Sequence, residues 1–397
     1  MAHAGWSPPC RHRPAPLRRA DRLAARGGKG GRIGRTLGFK SVKCGALRAI
    51  RPLQLRPSRP PAGAGAGPAF APPPIASGLQ CPPSPVSSRS PGALAVSAEH
   101  VFSGDPLDRA DHQRRDDAWV RARRADPASR FLAFANQQVV VRAGPPTSLG
   151  WLDVASVERL EADPETVLLG LLGDVAHFAL ELPPSAEMGL PPGLALADPR
   201  QVATEVSRAE SGILAHAKSV VDWHARHRFC ANCGAPTASR KAGKERACER
   251  CDAHHFPRTD PVVIMLVTDG DRCLLGRNAR RRNAFYSALA GFVDQGESIE
   301  EAVRREVQEE AGIRVGAIRY HSSQPWPFPS SLMIGCHADA LSTDIAIDPE
   351  ELSDCRWFTR AEVRAALAAG ASPGEGLRVP GPIAIAHHLI RAWADDA

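Results

Sequence analysis

Residues 291–313 read GFVDQGESIEEAVRREVQEEAGI and meet every fixed position of the pattern G-x5-E-x7-R-E-U-x-E-E-x-G-U, where U is a bulky apolar residue. Ser298 and Glu301 form an S-x-x-E capping box, and Gly312 supplies the glycine expected just past a helix C-terminus, so the spacing predicts a helix over 299–311. At about 100° per residue, Glu306, Glu309 and Glu310 fall within one arc of the helix and project together. Val303, Val307 and Ala311 form an adjoining apolar stripe suited to packing on a sheet, while Arg304 and Gln308 point to water. Carboxylates crowded on one arc repel each other unless a cation is present. Oxygen-rich sites of this kind suit Mg²⁺ or Mn²⁺, which keep several waters and bridge to substrate phosphates. An ordinary glutamate-rich surface helix is the competing reading, but it does not require the glycines, Glu297 and Arg305 at their spacing.

Just downstream, 323–333 read SQPWPFPSSLM. Proline removes amide donors and fixes φ, so a stiff loop presenting flat aromatic groups is expected here, excluded from helices and interior strands. Trp326 and Phe328 can stack on a nucleobase or nicotinamide ring, and Gln324, Ser330 and Ser331 can hydrogen-bond polar edges. A rigid turn whose aromatics simply cover the core is equally compatible with this composition.

Upstream, Cys230, Cys233, Cys248 and Cys251 form C-x2-C-x14-C-x2-C, close to the spacing of a four-cysteine zinc ribbon. Four thiolates fill a tetrahedral shell, so the implied Zn²⁺ is structural and not catalytic. Disulfides are the competing reading; no secretory signal is evident, and Cys10, Cys44, Cys81, Cys273, Cys336 and Cys355 are scattered, as unpaired thiols in a reducing compartment would be.

Composition divides the chain. Residues 1–98 hold 16 of the 50 Lys and Arg and a single acid, Asp21, so this stretch carries +15 and residues 99–397 carry −8, against +7 for the whole. The basic stretch is rich in Pro, Gly, Ala and Arg with little apolar periodicity, and disorder is expected. It also fits a transit peptide, a polynucleotide-binding arm, or translation that starts further on, near Val96. A domain from 99 to 225 is expected to contain hairpins over 131–142 and 166–182, followed by a helix over 201–228. The ribbon then occupies 226–257 and the metal-binding domain 258–397, with strands over 261–267, 272–276, 289–293 and 333–340 and helices over 361–369 and 382–393. No apolar run approaches the ~20 residues needed to span a membrane.

The 291–313 run resembles the Nudix box throughout, and SQPWPFPSS together with the preceding ribbon resembles the NAD(H) pyrophosphatase subgroup of Nudix hydrolases. The resemblance covers roughly 101–393. It implies an α/β (α+β) chain whose Nudix α/β/α sandwich follows a zinc ribbon and an N-terminal α+β domain. It further implies a homodimer that hydrolyses the diphosphate of NADH or NAD⁺ and, by the same chemistry, releases NMN from NAD-capped RNA. On this sequence the family's Mg²⁺ or Mn²⁺ ligands fall on Ala290 (through its carbonyl), Glu306, Glu309, Glu310 and Glu351. Arg305 is expected to orient a glutamate by a bidentate pair, with Glu297 behind it; Glu310 or another acid is the general base. Substrate contacts fall on Phe256, Phe292, Gln324, Pro325, Trp326, Pro327, Phe328, Pro329, Ser330, Ser331 and Ala386. Phe256 stands where the subgroup often has tyrosine, and Arg200 and Glu245 are weaker candidates. The cytoplasm is the expected location, or an organelle if the basic stretch is a transit peptide. Two other readings are a Nudix enzyme acting on ADP-ribose or another dinucleotide, and a nucleic-acid-binding ribbon protein with an inert Nudix domain.

Overall fold

The computed structural model describes residues 97 and 99–396, apart from 161–164, 280–284 and 371–375. The expectations for the basic stretch therefore fall outside the described residues. Helix α1 (Asp117–Ala125) opens on Asp116, whose carboxylate accepts the Ala118 and Trp119 amides. Strands β1 (Arg130–Ala135) and β2 (Gln138–Arg142) form the first expected hairpin, followed by short β3 (Ser148–Leu149), β4 (Trp151–Leu152) and α2 (Val154–Leu160). The second expected hairpin is β5 (Thr166–Leu172) with β6 (Val175–Glu181); β7 (Leu194–Ala197) completes a sheet of order β3-β2-β1-β6-β5 in which β1 and β6 run parallel.

The single helix expected over 201–228 is two, α3 (Pro199–Glu205) and α4 (Arg208–Arg226). The break falls at Val206–Ser207, where Ser207 and Glu210 exchange reciprocal hydrogen bonds as a capping box and restart the helix. The ribbon follows as β8 (Thr237–Arg240), β9 (Glu245–Cys248) and β10 (His254–His255).

The third sheet consists of β11 (Asp260–Asp269), β12 (Arg272–Asn278), β13 (Leu289–Phe292), β14 (Val315–Trp326), β15 (Ser331–Ala340) and β16 (Leu352–Thr359). Its order is β14-β15-β11-β12-β16, with β13 also paired to β11 and β15 parallel to β11. Helix α5 (Ile299–Ala311) covers one face; α6 (Arg360–Ala369) and α7 (Ile385–Asp395) cover the other. The run PVVIMLV makes this sandwich possible. In β11, Val263, Met265 and Val267 pack with Val303 and Val307 of α5, while Val262, Ile264 and Leu266 pack with Leu389 and Ile390 of α7. A strand apolar on both faces is the signature of a sheet buried on both sides.

The proline-aromatic stretch departs from the expected loop. Ser323–Trp326 belong to β14, only 327–330 form a turn, and Pro325 stands opposite Leu332 across the β14–β15 hairpin. Because β14 is an edge strand, a proline there costs no obligatory ladder bond. The rest of β14, VGAIRYHS, alternates too weakly in polarity to be read as a strand from sequence.

Candidate active site

The glutamate cluster is built where β13 delivers the chain to α5. Ser298 caps α5 and Gly312 ends it at φ 70, the left-handed conformation that glycine adopts without strain. Glu306 lies directly over Gly291: a Cβ there would sit 1.8 Å from the Glu306 carboxyl carbon. Gly291→Ala therefore must push Glu306 aside, and we expect turnover to fall by about 10²-fold, the usual result of a 1 Å misplacement. Steady-state kinetics alongside a melting curve checks this; a wild-type rate would show that Glu306 is not held where it works.

Arg305 organises the carboxylates. Its Nε and Nη2 donate to Glu297 Oε1 and Oε2 at 2.6 and 2.8 Å, the expected bidentate pair. Its Nη1 donates to Glu306 and Glu309 at 2.8 and 2.9 Å, and Nη2 also reaches the Phe292 carbonyl at 2.9 Å. The Arg305 guanidinium and the Asp294 amide hold the Glu297 carboxyl down at about 2. Glu310 receives no bond from Arg305 and is 7% exposed. Burial pushes its carboxyl up to about 8, with the negative charges of Glu306 and Glu351 adding to the effect. Burial likewise raises Glu306, against the pull of Arg305. Glu351 is exposed and arrives on a loop pinned by the Asp348 amide donating to the Glu310 carbonyl at 3.2 Å.

This donor set fits a hard divalent cation. Two buried carboxylates lie beside a third acid, and the one neighbouring arginine is shared among Glu297, Glu306 and Glu309. Among the described residues only the four thiols are already drawn to coordination distance of one another. The looser carboxylates match cations that retain water and share substrate phosphates.

One consequence is proton-linked. In the metal-free protein Glu310 is protonated at pH 7, since its carboxyl sits at about 8. With the folded value above the unfolded one, this group's stabilisation is complete below the ordinary carboxyl range and is lost as pH rises through about 8. Mg²⁺ binding at pH 7 should release about one proton and strengthen about tenfold per pH unit until Glu310 ionises. Calorimetry in buffers of different ionisation enthalpy measures this; zero proton release would contradict the assignment.

The four cysteines converge, with all their sulfur atoms within 4.8 Å of one another. Two matching knuckles explain it. The Cys230 amide donates to the Ala235 carbonyl and the Cys248 amide to that of Ala253, while Gly234 and Asp252, each just after a second cysteine, adopt φ 73 and 55. His255 Nε2 lies 3.3 Å from Cys230 Sγ, so its N–H can donate to the sulfur and support that ligand.

Three models match the chain in sequence: an NADH pyrophosphatase-like rudimentary NUDIX domain over 128–223, an NADH pyrophosphatase zinc ribbon domain over 225–256, and a NUDIX domain over 258–376. The NAD-capped RNA hydrolase NUDT12 of Macaca fascicularis is 38% identical over 340 residues, spanning 74% of this chain and 73% of that protein. The NAD-capped RNA hydrolase NudC of Mycobacterium bovis is 38% identical over 296 residues, 72% of this chain and 92% of that protein. The chain belongs to the Nudix hydrolases, in the zinc-ribbon NADH pyrophosphatase subgroup. The mouse mitochondrial NAD(P)H pyrophosphatase NUDT13 is 43% identical over 221 residues, 53% of this chain and 63% of that protein. Residues 97–127 and 377–396 lie outside the three matched domains.

In this Nudix hydrolase, three of the residues expected to contact substrate come together. Gln324, Trp326 and Ala386 line a small, largely buried cleft with Ile264, Met333, Ala384 and Ile385. Gln324 is fully buried and its amide is committed: Nε2 donates to the Val101 and Ile383 carbonyls at 2.9 Å, and Oε1 accepts the Ile385 amide at 2.8 Å. It ties β14 to the start of α7. Pro327 and Ser331 are buried, Pro325, Phe328 and Ser330 are half-buried, and Pro329 is exposed. Phe256 and Phe292 are 62% and 39% exposed, open faces past the ribbon and at the end of β13. Arg200 stacks its guanidinium over the Phe328 ring at 3.7 Å. Glu245, by contrast, is buried and held by Lys241 and His254 within the ribbon. Sequence reasoning missed the links from Gln324 to Val101 and Ile383, because such contacts leave no local pattern.

Proposed function

We propose that the chain hydrolyses the diphosphate of NADH and NAD⁺, giving AMP and NMNH or NMN, and releases NMN from NAD-capped RNA 5′ ends. One observation carries this reading: the carboxylate cluster and the aromatic cleft share strand β11. Ile264 lines the cleft, and its register partner on β13 is Ala290, the neighbour of the glycine beneath Glu306. The cleft lies on the α7 face of β11 and the carboxylate helix on its α5 face, so this strand links the two parts of the site. The relatives named NAD-capped RNA hydrolase and NAD(P)H pyrophosphatase support the same substrate class.

Glu306, Glu309, Glu310, Glu351 and the Ala290 carbonyl would hold Mg²⁺ or Mn²⁺, which would neutralise charge at the phosphates and make a water more acidic. Arg305 fixes Glu306 and Glu309, and Glu310, the one of the three that Arg305 does not bond, is the base that takes the proton from the attacking water. Trp326, Phe328, Phe292 and Phe256 offer faces to the rings, with Pro325, Pro327, Pro329, Ser330, Ser331 and Ala386 shaping the pocket around them. The chain works as a homodimer, organised as an N-terminal domain over 99–225, a Zn²⁺ ribbon over 226–257 and a catalytic domain over 258–397. No described helix is long and apolar enough to cross a membrane.

A substrate panel tests the assignment: NADH, NAD⁺, ADP-ribose, diadenosine polyphosphate and NAD-capped RNA, each with Mg²⁺ or Mn²⁺. The nicotinamide substrates should show the highest kcat/KM. Negligible NMN or NMNH release beside rapid ADP-ribose hydrolysis would overturn it in favour of an ADP-ribose hydrolase.

A further inference from the structure

The segment 99–102 runs along the outer edge of β14, ahead of the N-terminal domain, and touches the aromatic array at successive residues. His100 Nε2 lies 2.8 Å from Ser322 Oγ, the Ser323 amide donates to Ser97 Oγ at 3.1 Å, and Gln324 Nε2 donates to the Val101 carbonyl at 2.9 Å. Phe102 then packs its ring, 1% exposed, against both aromatic residues of SQPWPF. Its centroid is 5.7 Å from both Trp326 and Phe328, at 87° and 73°, and those two are 5.5 Å apart at 71°. Three rings thus meet edge to face, an arrangement that favours defined ring orientations.

The backbone of Phe102 shows what sustains this arrangement. Its φ is 71, a left-handed conformation that a bulky residue rarely adopts and glycine would adopt without strain. A turn alone would favour glycine; a phenylalanine there is held by what its ring and amide contact. The amide donates to Ser211 Oγ on α4 at 2.9 Å, so the segment is anchored on the N-terminal domain while its ring braces the catalytic domain.

We propose that 99–102, with Ser97 ahead of it, is a strap that sets the orientation of Trp326 and Phe328 toward the substrate ring, and that Phe102 is the positioning residue. Phe102 is fully covered and acts on the substrate only through the two rings it braces. The proposal rests on the reading that the Trp326–Phe328 array receives the substrate ring. Loosening the strap should therefore weaken capture of the dinucleotide and leave the carboxylate chemistry on α5 unchanged.

Steady-state kinetics of the full chain with NADH and Mg²⁺ tests it through Phe102→Leu, Phe102→Tyr and Phe328→Ala. Phe102→Leu should raise KM about tenfold, the scale of a lost aromatic pair, with kcat within about threefold of wild type. Phe102→Tyr keeps the ring and should return KM toward wild type, and Phe328→Ala should raise KM as well. A wild-type KM for Phe102→Leu while Phe328→Ala raises KM overturns the strap alone. A wild-type KM for both removes the aromatic-array reading and the strap with it. A fall in kcat at constant KM would make Phe102 a mere folding support and also overturns the proposal. Should Phe102→Leu melt below the assay temperature, Ser211→Ala withdraws only the acceptor of the Phe102 amide. It should raise KM in the same direction, and an unchanged KM counts against the strap.

Discussion

Glu310→Gln should lower kcat by roughly 10²- to 10⁴-fold, the range of a lost general base, while the fold remains intact. The substitution keeps the shape of a side chain that is 7% exposed and stands in the last turn of α5. Its effect on stability depends on pH. In the metal-free protein the Glu310 carboxyl sits at about 8 because of burial, so only below the ordinary carboxyl range, at about pH 4, is the group neutral in both the folded and the unfolded chain, and there the two proteins should melt together. Above pH 8 the wild type must hold a buried charge next to Glu306 and Glu351, and without Mg²⁺ the glutamine variant should melt higher. Turnover and melting curves across this pH span check both parts. A wild-type rate would remove Glu310 from the mechanism.

Removing zinc should have the second large effect. Four thiolates around one ion contribute on the order of 10 kcal/mol to a small ribbon, and the three short strands β8–β10 have little core of their own. Loss would spread through the contacts that dock the ribbon. The Arg246 guanidinium donates to His224 of α4 and to Glu165, and the His224 ring reaches the Gly243 carbonyl at 2.8 Å. Gly243 itself lies against Val167, where a Cβ would come within 2.6 Å. Chelation, or Cys248→Ser, should therefore melt 228–256, release about one zinc per chain, and expose amides of the α4 C-terminus to hydrogen exchange. Activity should fall with it, since Phe256 leaves the ribbon directly after β10, and added Mg²⁺ should not restore it. Unchanged stability and exchange in the zinc-free protein would contradict a structural role.

The box helix was legible in sequence to the residue, because its cap, its glycine terminator and its apolar stripe are all local signals. Local signals also placed both hairpins of the N-terminal sheet, to within a residue at their ends, and the cysteine knuckles. What sequence misjudged involves partners distant in the chain. SQPWPF reads as a loop because proline is costly in a ladder, yet an edge strand tolerates it, and only the assembled sheet shows that β14 is the edge. The helix break at Ser207 was marked by its own S-x-x-E signal but overshadowed by the long apolar periodicity on either side. Gln324 has the chemistry of a ligand-binding amide, and its commitment to Val101, Ile383 and Ile385 follows from contacts made only once β14, α7 and the strap are brought together. The tie between Phe102 and the aromatic residues spans more than two hundred residues and has no local signature.

If the carboxylates of α5 direct water onto the diphosphate of a nicotinamide dinucleotide, the products of NADH incubated with the protein and Mg²⁺, separated by chromatography with mass detection, report it. AMP and NMNH should appear in equal amounts, only with the divalent cation, and should disappear with Glu310→Gln. Release of free nicotinamide with an ADP-ribose product, or equal AMP formation by the glutamine variant, would contradict it.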